Sequence, residues 1–252
     1  MSGPPNAAVE DRYPLSPLQL GMLFQNLYAP QSGVDIQQLV ISLPEELEAT
    51  GFERAWQTLA GRHAVLRTSF SWTALEEPLQ EVHTAVAVPY QQEDLRGLGE
   101  SQQQARLEAY LREDRRRGFD LGAAPLMRVA VFRLAAADYR AVWTFHHILL
   151  DGRSITALVR EVFALYEALR QGAEPELERP RPYREFIDWL TQREVTSSQP
   201  YWQALLKGFT APTRFEVEKS APDRSLSEPD FGRQETRLPE PLARLEIGRA
   251  HV

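Results

Sequence analysis

The sequence predicts an α/β protein, because segments that alternate in the manner of β-strands are interleaved with segments of helical periodicity. The clearest example lies in the middle of the chain, where residues 139–145 alternate large side chains as a strand does. Two adjacent histidines and a turn at Asp151 and Gly152 follow, and apolar residues then recur at helical spacing over residues 155–169. We therefore expect a unit of strand, turn and helix that the remaining elements support.

Structure is expected to begin near Tyr13, because residues 1–12 are small, acidic and proline-containing, which is typical of a disordered lead-in. Beyond residue 208 apolar periodicity fades into a linker-like composition, and a helical pattern restarts only at residues 239–245. Between these ends the patterns first predict a helix that begins at Ser16 and Pro17, a strand over 34–43, a helix over 44–63 and a strand over 68–72. A strand over 79–90, a helix over 101–117 and a hairpin of strands 126–134 and 139–147 are expected next. The last predicted elements are a helix from 155 and a helix over 183–206 that is broken at 197–200.

Composition narrows the class of protein. With 252 residues, 43% of them hydrophobic, the chain can bury a substantial core in one or two domains. A formal net charge of -7 with dispersed basic residues argues against a nucleic-acid groove. The absence of cysteine excludes a disulfide framework and a thiolate nucleophile, and no apolar run approaches the roughly 20 residues of a membrane span. We expect a soluble cytoplasmic protein without nucleic-acid or membrane partners.

Two adjacent histidines, His146 and His147, stand where the central strand is expected to end. Adjacent strand residues point to opposite faces, so only one ring can face a given cavity and the other is expected to be structural. An Asp before a Gly is typical of a helix N-cap, yet Asp151 can also hold an imidazole or pair with an arginine. A metal site is disfavoured, because the sequence indicates no third ligand near these residues.

Two arginines flank a short apolar stretch after the predicted helix of residues 44–63. Arg62 and Arg67 stand at a helix-to-strand junction, where arginines are usually surface residues. A buried carboxylate partner would change that interpretation, and Asp151 is the candidate.

Several segments, in one order along the chain, resemble motifs of a known family. They are SPLQLGMLF at 16–24, RHAVLRTSF at 62–70, FDLGAAPLMR at 119–128, FHHILLDGRS at 145–154 and YREFIDWL at 183–190. Together they resemble the opening motifs of condensation domains of nonribosomal peptide synthetases, over roughly residues 13–245. The HHxxxDG element alone is shared with chloramphenicol acetyltransferase-like acyltransferases, whereas its combination with RHxxLRTxF is highly specific.

The resemblance implies an α/β fold of the chloramphenicol acetyltransferase type, an αβ sandwich that forms one lobe of a two-lobe, V-shaped domain. On that interpretation residues 13–180 form the N-terminal lobe that carries HHxxxDG, and residues 181–246 form helices and a crossover toward a missing C-terminal lobe. The chain is then a truncated domain. Residues 247–252, IGRAHV, resemble a translated sequencing adapter and are expected to be a non-native tail.

The activity that the resemblance implies is peptide-bond formation between a carrier-bound acyl or peptidyl thioester and the amine of a carrier-bound aminoacyl thioester. His147 is then expected to hydrogen-bond or deprotonate the attacking amine, and Gly152 to let backbone approach the reacting carbonyl, with its N–H toward the oxyanion. His146, Asp151, Arg62 and Arg67 are expected to support the site, with Asp151 paired to one of the two arginines. No metal is expected.

The resemblance also implies partners and leaves alternatives open. No cofactor is expected on the domain itself; 4′-phosphopantetheine arms are expected on donor and acceptor carrier proteins, beside an adenylation domain and the missing C-terminal lobe. Epimerisation domains and dual epimerising condensation domains keep the same HHxxxDG motif and stay as alternatives, as do a non-catalytic carrier-docking lobe and a standalone acyltransferase using coenzyme A. As a fragment, the chain is not expected to be active alone, since the family's channel lies between two lobes.

Overall fold

A computed structural model of the chain describes residues 8–29, 32–73, 75–193 and 198–211. All of them lie in one compact unit, Met1–Thr213, and the second unit, Arg214–Val252, lies outside the described residues. The predictions of a crossover, of a helix over residues 239–245 and of a non-native tail at residues 247–252 therefore also lie outside the described residues.

The described chain alternates strands and helices, as the apolar patterns predict. In order the elements are β1 (Val9–Pro14), α1 (Pro17–Tyr28), β2 (Ile36–Leu43), α2 (Ala49–Arg62), a 3₁₀ turn (Ala64–Arg67), β3 (Thr68–Ser71), β4 (Leu79–His83), β5 (Tyr90–Asp94), α3 (Glu100–Arg117), β6 (Met127–Ala135), β7 (Asp138–His146), α4 (Gly152–Gln171), α5 (Tyr183–Thr191) and α6 (Gln199–Leu205).

The larger sheet has the strand order β2-β7-β6-β5, and a smaller antiparallel sheet has the order β1-β4-β3. In the larger sheet β7 is an inner strand: it pairs antiparallel with β2 from Ile36↔His146 to Leu43↔Tyr139 and with β6 through the predicted hairpin. Strand β5 adds to β6 in parallel. Because β7 is hydrogen-bonded on both sides, the position of its last residue, His146, is fixed by two ladders.

The inner strands of the larger sheet, β6 and β7, are buried on both faces over most of their length. Alternate β7 residues from Tyr139 to Phe145 contribute to the main core together with α2 and α4, whereas Val142 joins a second cluster with α3. Trp56 of α2 lies 5.1 Å from Trp143 of β7 between ring centroids, and the Tyr166 hydroxyl of α4 accepts a hydrogen bond from the Glu48 N–H at the start of α2. The order of layers is thus helices α2 and α4, sheet, helix α3.

Three predictions about these elements need correction. The lead-in ends earlier than residue 12, because β1 begins at Val9 and pairs with β4. The single strand predicted over residues 79–90 is two strands in different sheets; the chain leaves β4 at His83, and Pro89, which lacks a ladder donor, precedes β5. The helix predicted from Pro44 begins only at Ala49, where Glu48 caps it.

A buried carboxylate joins the layers on the α3 side of the sheet. Asp114 of α3 is 3% exposed and accepts hydrogen bonds from the Arg128 guanidinium of β6, from the Thr144 hydroxyl of β7 at 2.6 Å and from the Gln38 amide of β2 at 3.0 Å. Burial raises the pKa of Asp114, but the hydrogen bonds from Arg128 and Thr144 outweigh that effect and hold it below its ordinary value. Asp114 is therefore an ionised hub shared by three strands and a helix.

Replacing Asp114 by Ala is expected to lower the free energy of unfolding by about 3–5 kcal/mol, because it leaves the buried Arg128 guanidinium without its counter-ion. The measurement is equilibrium urea unfolding of the full chain. Asp94→Ala is the matched control: it also removes a carboxylate paired with an arginine, Arg96, but at the surface, where such pairs contribute little. Equal unfolding midpoints for the two variants would contradict the central role of Asp114.

Candidate active site

A large open cavity of about 1240 Å³ lies at the end of β7. Residues of α1, the junction after α2, the loop that follows β7 and the first turn of α4 form part of its wall. The segment between α4 and α5, together with α5 itself, forms another part. Of the residues predicted from the sequence, the cavity is lined by His147, Asp151, Gly152, Arg62 and Arg67.

His147 is held in one orientation by backbone groups. Its N–H donates to the Asp35 carbonyl oxygen at 2.8 Å, which continues the β2 pairing for one residue beyond β7. Its ring nitrogen Nδ1 lies 2.7 Å from the Leu150 carbonyl oxygen. Because a carbonyl oxygen only accepts, Nδ1 must carry the hydrogen, and the neutral ring therefore keeps its lone pair on Nε2.

His146 occupies the opposite face, as strand alternation predicts. It is 1% exposed, its Nδ1 accepts a hydrogen bond from the Ile148 N–H at 3.2 Å, and its Nε2 has no partner within the described residues. Burial, together with the nearby His147, lowers the pKa of His146 to about 4, so the ring is neutral at physiological pH. His146 lines a second, smaller cavity of about 270 Å³, shared with Asp35 and Arg117. The two histidines do not share a cavity.

The predicted pairing of Asp151 with Arg62 or Arg67 is wrong. Asp151 is the N-cap of α4, and its Oδ1 accepts from the Ser154 N–H at 2.8 Å and from the Ser154 hydroxyl at 2.6 Å. These bonds hold the pKa of Asp151 below its ordinary value. The carboxylate is turned over the first turn of its own helix, as expected for an Asp-Gly pair that starts a helix.

Arg62 and Arg67 both form ion pairs with carboxylates other than Asp151. The Arg62 Nε donates to Glu161 of α4 at 2.6 Å, and the Arg67 Nη1 donates to Glu10 of β1 at 2.9 Å and to the His83 carbonyl oxygen. Arg67 is nearly buried, so it ties β1 to β4 beneath the cavity. Both arginines line the cavity, and their carboxylate partners stand far away in the sequence, at positions that the motifs do not indicate.

Gly152, the first residue of α4, lies at the wall of the cavity. A Cβ at this position would meet no atom within 4 Å. Open space is therefore present beside its backbone, on the side of the cavity.

Two cavity residues were not predicted as site residues from the sequence. The His63 Nε2 lies 2.9 Å from the second oxygen of Glu161, so Glu161 binds the last residue of α2 and the residue after it together. Gln19 of α1 is buried and donates to the Ile148 carbonyl oxygen at 3.3 Å, beside His147. Both stand inside the quoted motifs, at positions whose partners only the fold brings near.

Comparison with known proteins gives the family. The model of a family described as "Condensation domain" matches residues 9–237. The chain is 40% identical over 233 residues to a linear gramicidin synthase protein of Brevibacillus parabrevis, covering 92% of this chain and 3% of the relative. It is 36% identical over 201 residues to bacitracin synthase 1 of Bacillus licheniformis, covering 80% of this chain and 4% of the relative. The chain belongs to the condensation domain family, and the resemblance predicted from its motifs is confirmed.

Solved structures give the same fold. The starter condensation domain of rhizomide synthetase superimposes with a TM-score of 0.68 at 21% identity, over 82% of this chain and 52% of that one. The first condensation domain of the CDA synthetase gives a TM-score of 0.70 at 17% identity, over 80% and 50%. The predicted α/β fold is confirmed, and the chain spans about half the length of these domains and a small fraction of the synthases.

No helix in the described part of the chain is long and apolar enough to cross a membrane. Among the same residues, no three His, Asp or Glu side chains stand close enough together to hold a metal ion.

The depressed pKa of His146 predicts a pH dependence of stability. Between pH 6.5 and about 4 the unfolded chain binds a proton at His146 that the folded chain does not, so stability falls as the pH falls through this window. A His146→Gln variant, which does not titrate, is expected to show a flatter profile, by on the order of 3 kcal/mol across the window. Urea unfolding at several pH values measures this difference, and parallel profiles would contradict a neutral, buried ring.

Asp151 is expected to act as a helix cap, not as one partner of an ion pair. Asp151→Asn keeps a good N-cap acceptor and is expected to leave the unfolding free energy nearly unchanged, whereas Asp151→Ala lowers it by about 1 kcal/mol. Thermal or urea unfolding of the two variants compares them directly. A loss that is equal for Asn and Ala would instead indicate that the charge of Asp151 is needed.

Proposed function

We propose that the chain forms amide bonds as part of a nonribosomal peptide synthetase, joining a carrier-bound acyl or peptidyl thioester to the amine of a carrier-bound aminoacyl thioester. The observation that carries the proposal is the fixed tautomer of His147. Its Nδ1–H is engaged by the Leu150 carbonyl oxygen, so the basic Nε2 of a ring that lines the large cavity is left for a substrate.

The reaction needs a proton acceptor and no covalent enzyme intermediate. The amine nitrogen attacks the thioester carbonyl carbon, the C–N bond forms, and the C–S bond breaks as the thiolate leaves. One proton must leave the amine and one must reach the thiolate sulfur. A neutral imidazole whose basic nitrogen is free can accept the first and supply the second, and His147 takes this role through Nε2.

The oxyanion that forms at the carbonyl needs a donor. Gly152 begins a helix of 20 residues, so its backbone N–H stands at the positive end of the α4 dipole. The open space beside Gly152 at the cavity wall leaves room for a carbonyl to approach that N–H. We assign Gly152 to oxyanion stabilisation, and His146, Asp151, Arg62 and Arg67 to holding the frame around it.

The proposal includes partners. Donor and acceptor carrier proteins bring the substrates on 4′-phosphopantetheine arms, an adjacent adenylation domain supplies the activated amino acid, and the domain itself binds no cofactor. Residues 13–180 then act as the lobe that carries HHxxxDG, residues 181–246 lead toward a C-terminal lobe, and the assembly works in the cytoplasm. The match to about half of each solved condensation domain supports this division.

The proposal predicts that His147→Ala lowers kcat for amide formation by about 10²–10⁴-fold, the usual contribution of a positioned acid–base group, with a smaller effect on KM. The assay joins two loaded carrier proteins and uses the chain in its full reading frame. His63→Gln is the matched control, since it removes an imidazole that lines the same cavity while keeping a group that can bond Glu161. We expect it to stay close to the parent.

Other outcomes point to the alternatives. Product formed equally well by His147→Ala would reject His147 as the proton acceptor. Inversion at the α-carbon of a carrier-bound aminoacyl group, without amide formation, would replace the proposal by epimerisation. Binding of loaded carriers without any turnover by the complete protein would indicate a docking lobe, and turnover with coenzyme A thioesters and no carrier would indicate a standalone acyltransferase.

A further inference from the structure

The large cavity is positively charged, although the chain as a whole carries a formal net charge of -7. Five arginines line it, against three carboxylates. Three of these arginines are matched by carboxylates: Arg62 by Glu161, Arg67 by Glu10, and Arg184 by Asp11. The others, Arg179 and Arg181, make neither an ion pair nor a hydrogen bond with any part of the chain that the structure describes. They are the two arginines of the cavity without a carboxylate partner among the described residues.

These two arginines are held on a stiff segment. Each precedes a proline, in the sequence Arg179-Pro180-Arg181-Pro182 between α4 and α5. Proline fixes its own φ and drives the preceding residue toward an extended conformation, so four consecutive residues have little conformational freedom. We call residues 179–182 the arginine strap.

The strap is anchored at both ends. Before it, the Glu178 carbonyl oxygen accepts a hydrogen bond from the Arg62 Nη2 at 2.8 Å. After it, Tyr183 packs against a small core of Tyr13, Val82 and Ile187. Because the backbone is fixed on both sides, little further backbone entropy is lost when the two guanidinium groups bind an anion.

The chemistry of the wall indicates which anion fits. Guanidinium groups bind phosphate oxygens through paired N–H donors, and uncompensated ones attract an anion more strongly than paired ones. Leu18 and Phe186 line the same cavity with substantial apolar surface exposed, so the charged strap stands beside surface that suits methylene groups. A phosphate attached to a flexible, partly apolar arm has both features.

We propose that Arg179 and Arg181 bind the phosphodiester of a 4′-phosphopantetheine arm while the arm extends along the cavity toward His147. This inference rests on the proposed function, because that function brings such arms to the site. It assigns the strap to substrate recognition and leaves the proton transfer at His147 unchanged. We expect the bound phosphate to belong to an arm that is attached to a carrier protein.

Binding of small probes to the full 252-residue chain tests the strap. We expect 4′-phosphopantetheine to bind about three- to tenfold more tightly than pantetheine, which lacks the phosphate, and the difference to shrink as salt is added. In Arg179→Gln/Arg181→Gln the difference is expected to vanish, while pantetheine binds as before. Isothermal titration or chemical-shift perturbation measures both constants, and circular dichroism verifies that the variant is folded.

Arg112→Gln/Arg116→Gln is the matched control, since it removes the same charge from exposed positions on α3, no residue of which lines the cavity. This control is expected to keep the preference for the phosphate. Three results would overturn the inference: equal binding of both probes to the unchanged chain, an undiminished preference in the strap variant, or competition by inorganic phosphate as effective as that by 4′-phosphopantetheine.

Carrier proteins complete the test and separate it from the proposed function. A carrier that bears the arm is expected to compete with 4′-phosphopantetheine better than the same carrier without it. Stronger competition by coenzyme A than by the loaded carrier would assign the strap to the free nucleotide form of the arm and would overturn the inference. Amide formation that persists with an unchanged KM for carriers in the strap variant would reject the strap alone. If the strap arginines are needed for tighter binding of 4′-phosphopantetheine than of pantetheine, but the complete protein forms no amide, the proposed function alone would be rejected.

Discussion

The site depends on the alternation of side chains at the end of one inner strand. Strand β7 is hydrogen-bonded by β2 and β6 up to His146, and the β2 pairing continues through the N–H of His147. This backbone constraint sends two identical side chains into different surroundings: one is buried and unable to take a proton near neutral pH, and the other lines an open cavity with its basic nitrogen unbonded. A shift of register by one residue would move one histidine into the position of the other.

The register of β7 is also stabilised by hydrogen bonds on the face of the sheet that packs against α3. Asp114 bonds Thr144, two residues before His146, and at the same time bonds Arg128 and Gln38 on the flanking strands. A buried carboxylate with several specific partners tolerates few alternative alignments, because each lost partner leaves a polar group unsatisfied. The polar network on the α3 face thus helps to fix the position of His147 on the opposite face, without any contact with the cavity.

The sequence predicts local features well and distant partners poorly. The β6–β7 hairpin, the helix start at Asp151 and the opposite faces of His146 and His147 follow from alternation and capping, which act over a few residues. The assignment of Asp151 to an arginine was wrong, because ion pairing is decided by which chain segments meet. The carboxylates that pair with Arg62 and Arg67 are Glu161 and Glu10. They lie on elements whose apolar pattern does not predict which charged residues will meet.

The bond from His147 Nδ1 to the Leu150 carbonyl oxygen also determines what happens after a proton has been taken. In many acid–base sites a carboxylate stands behind the imidazole and stabilises its cation. Here the group behind the ring is a neutral amide dipole, three residues along the same chain. A proton that the ring accepts at Nε2 therefore stays on the side of the ring that faces the cavity. Such a ring suits the proposed reaction, in which the departing sulfur needs a proton after the nitrogen has lost one.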